Sequence, residues 1–381
     1  IKLSYNKYLI NGEKMVNEIK NALKRIRYSK YIPEDKIAIA VICDGGVGDS
    51  ICHLNYCYKL HKYSDKVVID LYNKAKTIDS LYDPNQNYLR AWFNKDEFVE
   101  KKKYSYDLVI RIKERFPLIV YAHLRRIDRI DGRIGRLVEL YREYYKNFSF
   151  YYDFSPSSDG ASANLSLAMG FKRFNQADLY HKLGIKDIEI SIPTTSDNDV
   201  LSKFGLHTDN YITVNRSVDS GRGQWESTKL WPKAYYEELF KKLKTLFPKL
   251  AIVYISPQTE DFVPSDIVNL GGRTSFNDLK ILLKHSYLHI GPEGGMIHLR
   301  HALCKKRSCV LFGPTSQDFY GYPENINIEG PGCINHCEWL TDRWQEKCLN
   351  NSGTCCEKLV RMTPDYVINE ISKSIIKNNN L

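Results

Sequence analysis

No stretch of the chain reaches 18 apolar residues, so nothing in it reads as a membrane-spanning helix. The opening residues, Ile1-Lys2-Leu3-Ser4-Tyr5, lack the apolar core of a signal peptide. They also lack Met, which suggests that the native start lies upstream. Internal repeats are absent, and low complexity is confined to the tail around Asn378-Asn379-Asn380, so repeat arrays and fibrous classes are set aside. Cysteine, at 10 in 381 residues, is far too sparse for a disulfide scaffold. What is present is globular: 43% hydrophobic and 26% charged residues, in a length that suggests two or three domains. These features are expected of a soluble cytoplasmic protein.

The net charge of +10 is unevenly placed. Residues 1–150 hold 29 Lys/Arg against 19 Asp/Glu, whereas residues 151–381 hold 26 of each. An excess confined to the first part suggests an anionic partner there: nucleic acid, a membrane surface or an acidic substrate. A plain solvated basic face is the competing reading.

After an amphipathic start, Lys36 to Cys43 is an apolar run of buried-strand length, followed by Asp44-Gly45-Gly46-Val47-Gly48-Asp49 and a helical pattern to about His61. Further strands are expected at Val67–Leu71 and Tyr106–Ile110. Between Arg125 and Tyr145, Ile127, Ile130, Ile134, Leu137 and Tyr141 recur at helical spacing, with Arg125, Arg129, Arg133 and Arg136 as a basic stripe. Such a helix either packs its apolar face on a core or lies on an anionic membrane. Ser191 to Asp199 is polar and breaker-rich, a linker. A second run of alternating strands (Tyr211–Val214, Ala251–Ile255, Ile267–Leu270, Tyr287–Ile290, Ser308–Phe312) and helices (Trp231–Phe247, Ser275–Lys284, Gly294–Leu303) follows. Two α/β halves with parallel sheets are the expected organisation, 1–190 and 200–381.

Three loops can carry chemistry. Glycines in Gly45-Gly46-Val47-Gly48 let the backbone approach a ligand, although the spacing is not that of a dinucleotide fingerprint. Asp49 opens the following helix, either as a first-turn carboxylate or as a general base at the carboxyl end of a strand. Gly291-Pro292-Glu293-Gly294-Gly295-Met296-Ile297-His298 joins a strand to a helix, so its amides can face phosphate oxygens. There Glu293 can accept from sugar hydroxyls and His298 can donate to a ligand. Lys229, in Thr228-Lys229-Leu230-Trp231-Pro232, precedes a helix and can reach a phosphate.

In their order, Gly48-Asp49, Lys229-Leu230-Trp231-Pro232, Gly271 to Ser275, Gly291 to His298 and Phe312-Gly313-Pro314-Thr315 resemble glycosyltransferase family 9, the heptosyltransferases of bacterial surface glycans. The likeness is strong from about 210 to 330 and thin from 63 to 190. It implies a GT-B architecture: two Rossmann-like domains facing across a cleft, with the acceptor on the first and the nucleotide sugar on the second. It further implies an inverting transferase that needs no metal for catalysis. Asp49 would be the base, beside the acceptor-side loop of Gly45, Gly46 and Gly48. Lys229, Gly294, Gly295 and Asn215 would hold the donor diphosphate or sugar, with His298 supporting that loop. The family's Asp-Ser/Thr-Gly is Glu293-Gly294-Gly295 here, a departure that bears on the sugar recognised; ADP-heptose is the default donor. The basic first half suits an anionic glycan, a lipid-linked acceptor at the inner membrane face or a protein acceptor, and no nucleic acid is expected.

Five cysteines fall close together: Cys333, Cys337, Cys348, Cys355 and Cys356. In a reducing compartment such a cluster favours structural zinc or iron, on four thiolates with Cys355 or Cys356 as the fourth, over disulfides or uncoordinated thiols. Relatives that glycosylate autotransporters carry a four-cysteine iron finger of similar look and different spacing. A C-terminal cysteine-rich insertion and a final helix complete the expected fold. Rival readings are a nucleotide-sugar epimerase on this fold and a nucleic-acid-binding protein with a zinc-like cluster.

Overall fold

The computed structural model describes residues 34–113, 115–153, 163–194, 197–218, 226–350 and 353–379. The amphipathic start expected before residue 34 lies outside the described residues, as does the beginning of the first predicted domain. Two sheets organise the described residues. The first has five strands in the order β3 (Ala91–Asn94), β2 (Val67–Asn73), β1 (Ile37–Ile42), β4 (Leu108–Lys113) and β5 (Phe116–Ala122). The second has six, in the order β11 (Ile326–Glu329), β10 (Ser308–Phe312), β9 (Leu288–Pro292), β6 (Tyr211–Val214), β7 (Ala251–Tyr254) and β8 (Val268–Asn269). Every pairing is parallel except β4 with β5. Parallel strands need crossovers, and helices on both faces bury them. Hence the six residues of β1, Ile37-Ala-Ile-Ala-Val-Ile42, are buried without alternation.

In each sheet the chain builds outward from its first strand and then returns to the other side of it. The returns fall between β1 and β4 and between β6 and β9. At such a switch point adjacent loops leave in opposite directions and open a crevice at the carboxyl ends of the strands.

The sheets are joined by packing as well as by chain. Helix Val47–Tyr63, which follows β1, lies against helix Gly295–Cys304, which follows β9. Apolar side chains of both, among them Ile51, Leu54, Ile297 and Leu299, belong to one buried cluster. Between the halves, His301 donates to the carboxylates of Glu189 at 2.8 Å and Glu324 at 2.5 Å and stacks on Tyr322. No helix among the described residues is long and apolar enough to cross a membrane.

Several elements depart from the sequence reading. The helix expected over Arg125–Tyr145 extends over Leu124–Asp153 and is broken at Asp131, whose backbone is extended (φ −155°). Asp131 is held there because its carboxylate accepts from the Ser64 hydroxyl at 2.6 Å and from the Arg133 amide at 3.0 Å. Its apolar stripe faces the core: Ile127, Ile134 and Leu137 are fully buried, while Arg125, Arg129, Arg133 and Arg136 are exposed. The linker expected over Ser191–Asp199 is shorter, because Asp197–Lys203 is helical and Asp197 is gripped by Lys284 and His285 at 2.7 and 2.8 Å. Strands β3, β5 and β11 were not expected.

Candidate active site

The loops at the two switch points meet. Gly46, Gly48 and Asp49 after β1, Arg115 after β4, Asn215 after β6 and Glu293 to Gly295 after β9 all line one pocket of about 440 Å³. Lys229 and His298 line it too. Gly45 stands just behind: it has a left-handed φ of +124°, and a Cβ there would run into the Asp49 side chain.

Contact between the two helix N-termini requires glycine. A Cβ on Gly48 would stand 2.7 Å from the His298 ring and 3.2 Å from the Cα of Gly295. Both helices therefore point their first amides, and the positive ends of their dipoles, into the same space. Gly48→Ala is expected to cost about 1–3 kcal/mol of stability by overpacking. It should also lower turnover by up to about 10²-fold by moving the two ends apart. Denaturant unfolding together with kcat checks this, and unchanged values of both would mean that the termini do not touch in solution.

Asp49 is both built into the turn and open to the pocket. One carboxylate oxygen accepts from the Gly46 amide at 2.8 Å, tying the turn, and the other pairs with Arg115 Nη1 at 2.9 Å. Its side chain nevertheless keeps 35% of its surface exposed, towards the pocket. Burial pushes this carboxyl up, but Arg115, His53 and the Gly46 amide outweigh it and hold it below the ordinary carboxylate range.

On the facing side Lys229 Nζ donates to Glu293 Oε2 at 2.6 Å, and both side chains are largely buried. Burial would neutralise either alone. Their mutual attraction reverses that, raising the pKa of Lys229 and lowering that of Glu293, so the pair stays ionised. His298 shares a hydrogen bond with the Tyr322 hydroxyl through Nδ1 at 2.7 Å, and its Nε2 lies 3.8 Å from Glu293. Burial holds its pKa down, so the ring is neutral at pH 7. Asn215 donates to the Ser217 carbonyl at 2.9 Å, and its own side-chain oxygen is buried without a partner at the pocket wall.

Among the wall residues that escaped the sequence reading are Arg115, Glu338, Trp339 and Trp344. Glu338 is buried, and burial together with the Glu293 charge pushes its carboxyl up to about 7. Its position next to Cys337, inside the cysteine-rich segment, was the only available signal.

The five clustered cysteines do not line the pocket and are all free thiols. Cys337, Cys355 and Cys356 lie within electrostatic reach of Cys348. Cys355 donates to the Leu230 carbonyl at 3.2 Å, and Cys333 accepts from Asn350 at 3.0 Å. As placed, these sulfurs do not fit a metal: among the described residues no three His, Cys, Asp or Glu side chains converge as ligands. Cys43, Cys57 and Cys309 are buried, as expected of core residues; Cys52 and Cys304 are only partly so.

Residues 174–349 match the profile of glycosyltransferase family 9 (heptosyltransferase). That span contains Asn215, Lys229 and Glu293 to His298 and excludes Asp49 and Arg115. Curated protein sequences give no significant match. Among solved structures, the chain is similar to the E. coli ADP-heptose lps heptosyltransferase II at 14% identity and a TM-score of 0.54, covering 90% of this chain and 100% of that one. It is also similar to the dodecameric iron-containing heptosyltransferase TibC from enterotoxigenic E. coli, solved with ADP-D-beta-D-heptose. That match has 14% identity and a TM-score of 0.55, and covers 91% of this chain and 79% of TibC. The fold is the two-sheet GT-B architecture.

Proposed function

We propose, from the family 9 profile match over residues 174–349, that the chain is an inverting glycosyltransferase that moves a sugar from a nucleoside diphosphate to an acceptor hydroxyl without needing a metal for catalysis. Heptose from ADP-heptose is the first donor to test, supported by the ligand of TibC. The observation that carries the reading is the facing of Asp49 and Lys229 across one pocket, each at the switch point of its own sheet.

The chemistry follows from that arrangement. Asp49 takes the proton of the acceptor hydroxyl. The oxygen bonds to the anomeric carbon from the face opposite the diphosphate, and the bond from that carbon to the phosphate oxygen breaks. One base suffices for a single inverting displacement. The charge growing on the leaving diphosphate meets Lys229 and the amides that open helix Gly295–Cys304. The positive excess of residues 1–150, with the exposed stripe from Arg125 to Arg136, supports an anionic acceptor: a phosphorylated glycan, a lipid-linked one at the cytoplasmic membrane face, or an acidic protein surface.

Thermal unfolding with ADP, GDP and UDP, and CMP as control, tests the reading. A ligand at about 100 times its Kd should add about 2.7 kcal/mol of stability. Stabilisation by ADP alone keeps ADP-heptose as donor; GDP or UDP reassigns the sugar. No binding by any of them, with salt-sensitive DNA binding instead, removes the reading.

A structural zinc or iron at Cys333, Cys337, Cys348 and Cys355 or Cys356 is the finer part of the proposal, supported by the density of cysteines and by the iron of TibC. Because the thiols do not converge as placed, metal content is the deciding measurement. Protein purified without chelator should carry about one equivalent if the site exists. A content well below that leaves the cysteines as packing groups.

A further inference from the structure

We propose that Glu338, carried into the pocket by the cysteine-rich segment, reads the hydroxyls of the donor sugar and so helps to set which sugar is transferred. The proposal rests on the glycosyltransferase reading above and assigns that site a residue no motif marks.

Glu338 is 6% exposed, lines the pocket, and keeps one carboxylate oxygen, Oε2, buried without a hydrogen-bond partner. The Tyr320 hydroxyl donates to its carboxyl, which leaves that acceptor unspent. A buried polar atom with no partner is costly, and a ligand hydroxyl would relieve the cost.

Its neighbours say which part of a donor meets it. Glu338 shares the pocket wall with Glu293, Lys229 and Arg115, and its carboxyl lies within electrostatic reach of all three. Lys229 marks the diphosphate end and Arg115 is paired with the base Asp49, so the wall that carries Glu338 runs from leaving group to acceptor. The sugar is the part of a donor that joins those two ends. In its ionised form this carboxyl repels a phosphate, whereas in either form its oxygens accept hydrogen bonds from hydroxyls.

The segment that delivers it is fastened to the Lys229 turn. The Thr228 amide donates to the Gln345 carbonyl at 2.9 Å, the Thr228 hydroxyl to the Trp344 carbonyl at 2.8 Å, and the Cys356 amide to the Thr228 carbonyl at 3.3 Å. The Glu338 amide donates to Pro314 at 3.3 Å. Trp339 has a left-handed backbone (φ +57°), lines the pocket beside Glu338, and packs on Trp344 at 5.4 Å between ring centres. A non-glycine residue held in that conformation needs surrounding structure to hold it, and these bonds supply it. The pair of indoles adds the apolar surface on which a sugar face can rest.

The test compares the affinity of a nucleotide sugar with that of its bare nucleotide, in calorimetric titrations of ADP and ADP-heptose, GDP and GDP-mannose, and UDP and UDP-glucose. Wild type, Glu338→Ala and the isosteric Glu338→Gln, which preserves the volume, are titrated. For whichever pair binds wild type, both variants should hold the bare nucleotide within about twofold, and Glu338→Ala should bind the nucleotide sugar about 10-fold to 100-fold more weakly. Glu338→Gln should lose less. Equal losses for nucleotide and nucleotide sugar, or no loss for either, overturn the assignment. Should Glu338→Ala fail to fold, an unchanged nucleotide-sugar affinity in Glu338→Gln overturns it equally. Wild-type protein that binds none of the six ligands removes the transferase reading and this inference with it.

Discussion

Asp49→Asn is expected to lower kcat by about 10²–10⁴-fold, the usual worth of a positioned general base. The nucleoside diphosphate that stabilises the wild type should still bind within about twofold, because the donor side is untouched. Asn keeps the shape and can still accept from the Gly46 amide, so the turn survives; what it cannot do is take a proton. The substitution also takes one anion away from Arg115, whose side chain is only 8% exposed. Breaking a buried pair from one side costs about 3–5 kcal/mol, reduced here because Asp49 itself is partly open to water. Turnover must therefore be read on protein shown to be folded at the assay temperature.

A pH profile separates a base from a mere clamp. With its pKa held below the ordinary range, Asp49 is ionised at neutral pH and should lose its proton-accepting form only below about pH 4. The stability it contributes has the same sense: present above its unfolded pKa, and lost as pH falls through the folded value. Arg115 is the largest force holding the group down, so Arg115→Gln should move the acidic limb of kcat upward. A limb that stays in place, or an Asp49→Asn enzyme that turns over at the wild-type rate, would remove Asp49 from the chemistry.

The contrast between Asp49 and Arg115 shows where sequence reading reaches its end. Asp49 was visible because a glycine turn between an apolar run and a helical pattern announces a strand end, and strand ends are where such sheets bind ligands. Arg115 belongs to no pattern; it matters only because β4 sits beside β1 in the sheet, and adjacency of strands is not written in spacing. The same holds for Glu338, which reaches Lys229 through the fold of the cysteine-rich segment. Strands show the same division. Buried β1, β6 and β10 appear as continuous apolar runs. Edge strand β5 contains Pro117 and half-exposed residues, and β3 has four residues with none buried. Edges need less burial and tolerate proline, so their sequences look like loops.

Lys229→Ala should have the largest combined effect, since it acts on fold and chemistry at once. Without Lys229, Glu293 is left buried beside Glu338 with its strongest counter-charge gone, at a cost of about 3–5 kcal/mol for an ion pair broken from one side. Catalysis should fall by about 10²–10³-fold for loss of a charged donor at the leaving group. The two losses can be separated. In the double variant Lys229→Met with Glu293→Gln, neither side chain carries a charge, so most of the stability should return while kcat/KM stays low. Recovery of both would mean that Lys229 serves only to neutralise Glu293. Loss of stability in Lys229→Ala with full turnover in the folded fraction would place the diphosphate elsewhere. In the free enzyme Lys229 already has a partner at 2.6 Å, so a diphosphate has to share the ammonium rather than find it bare. Three N–H donors permit that sharing. On the proposed role, Glu293 would hold Lys229 in place for the arriving phosphate, so Glu293→Gln alone should weaken donor binding even though it removes a negative charge from the pocket.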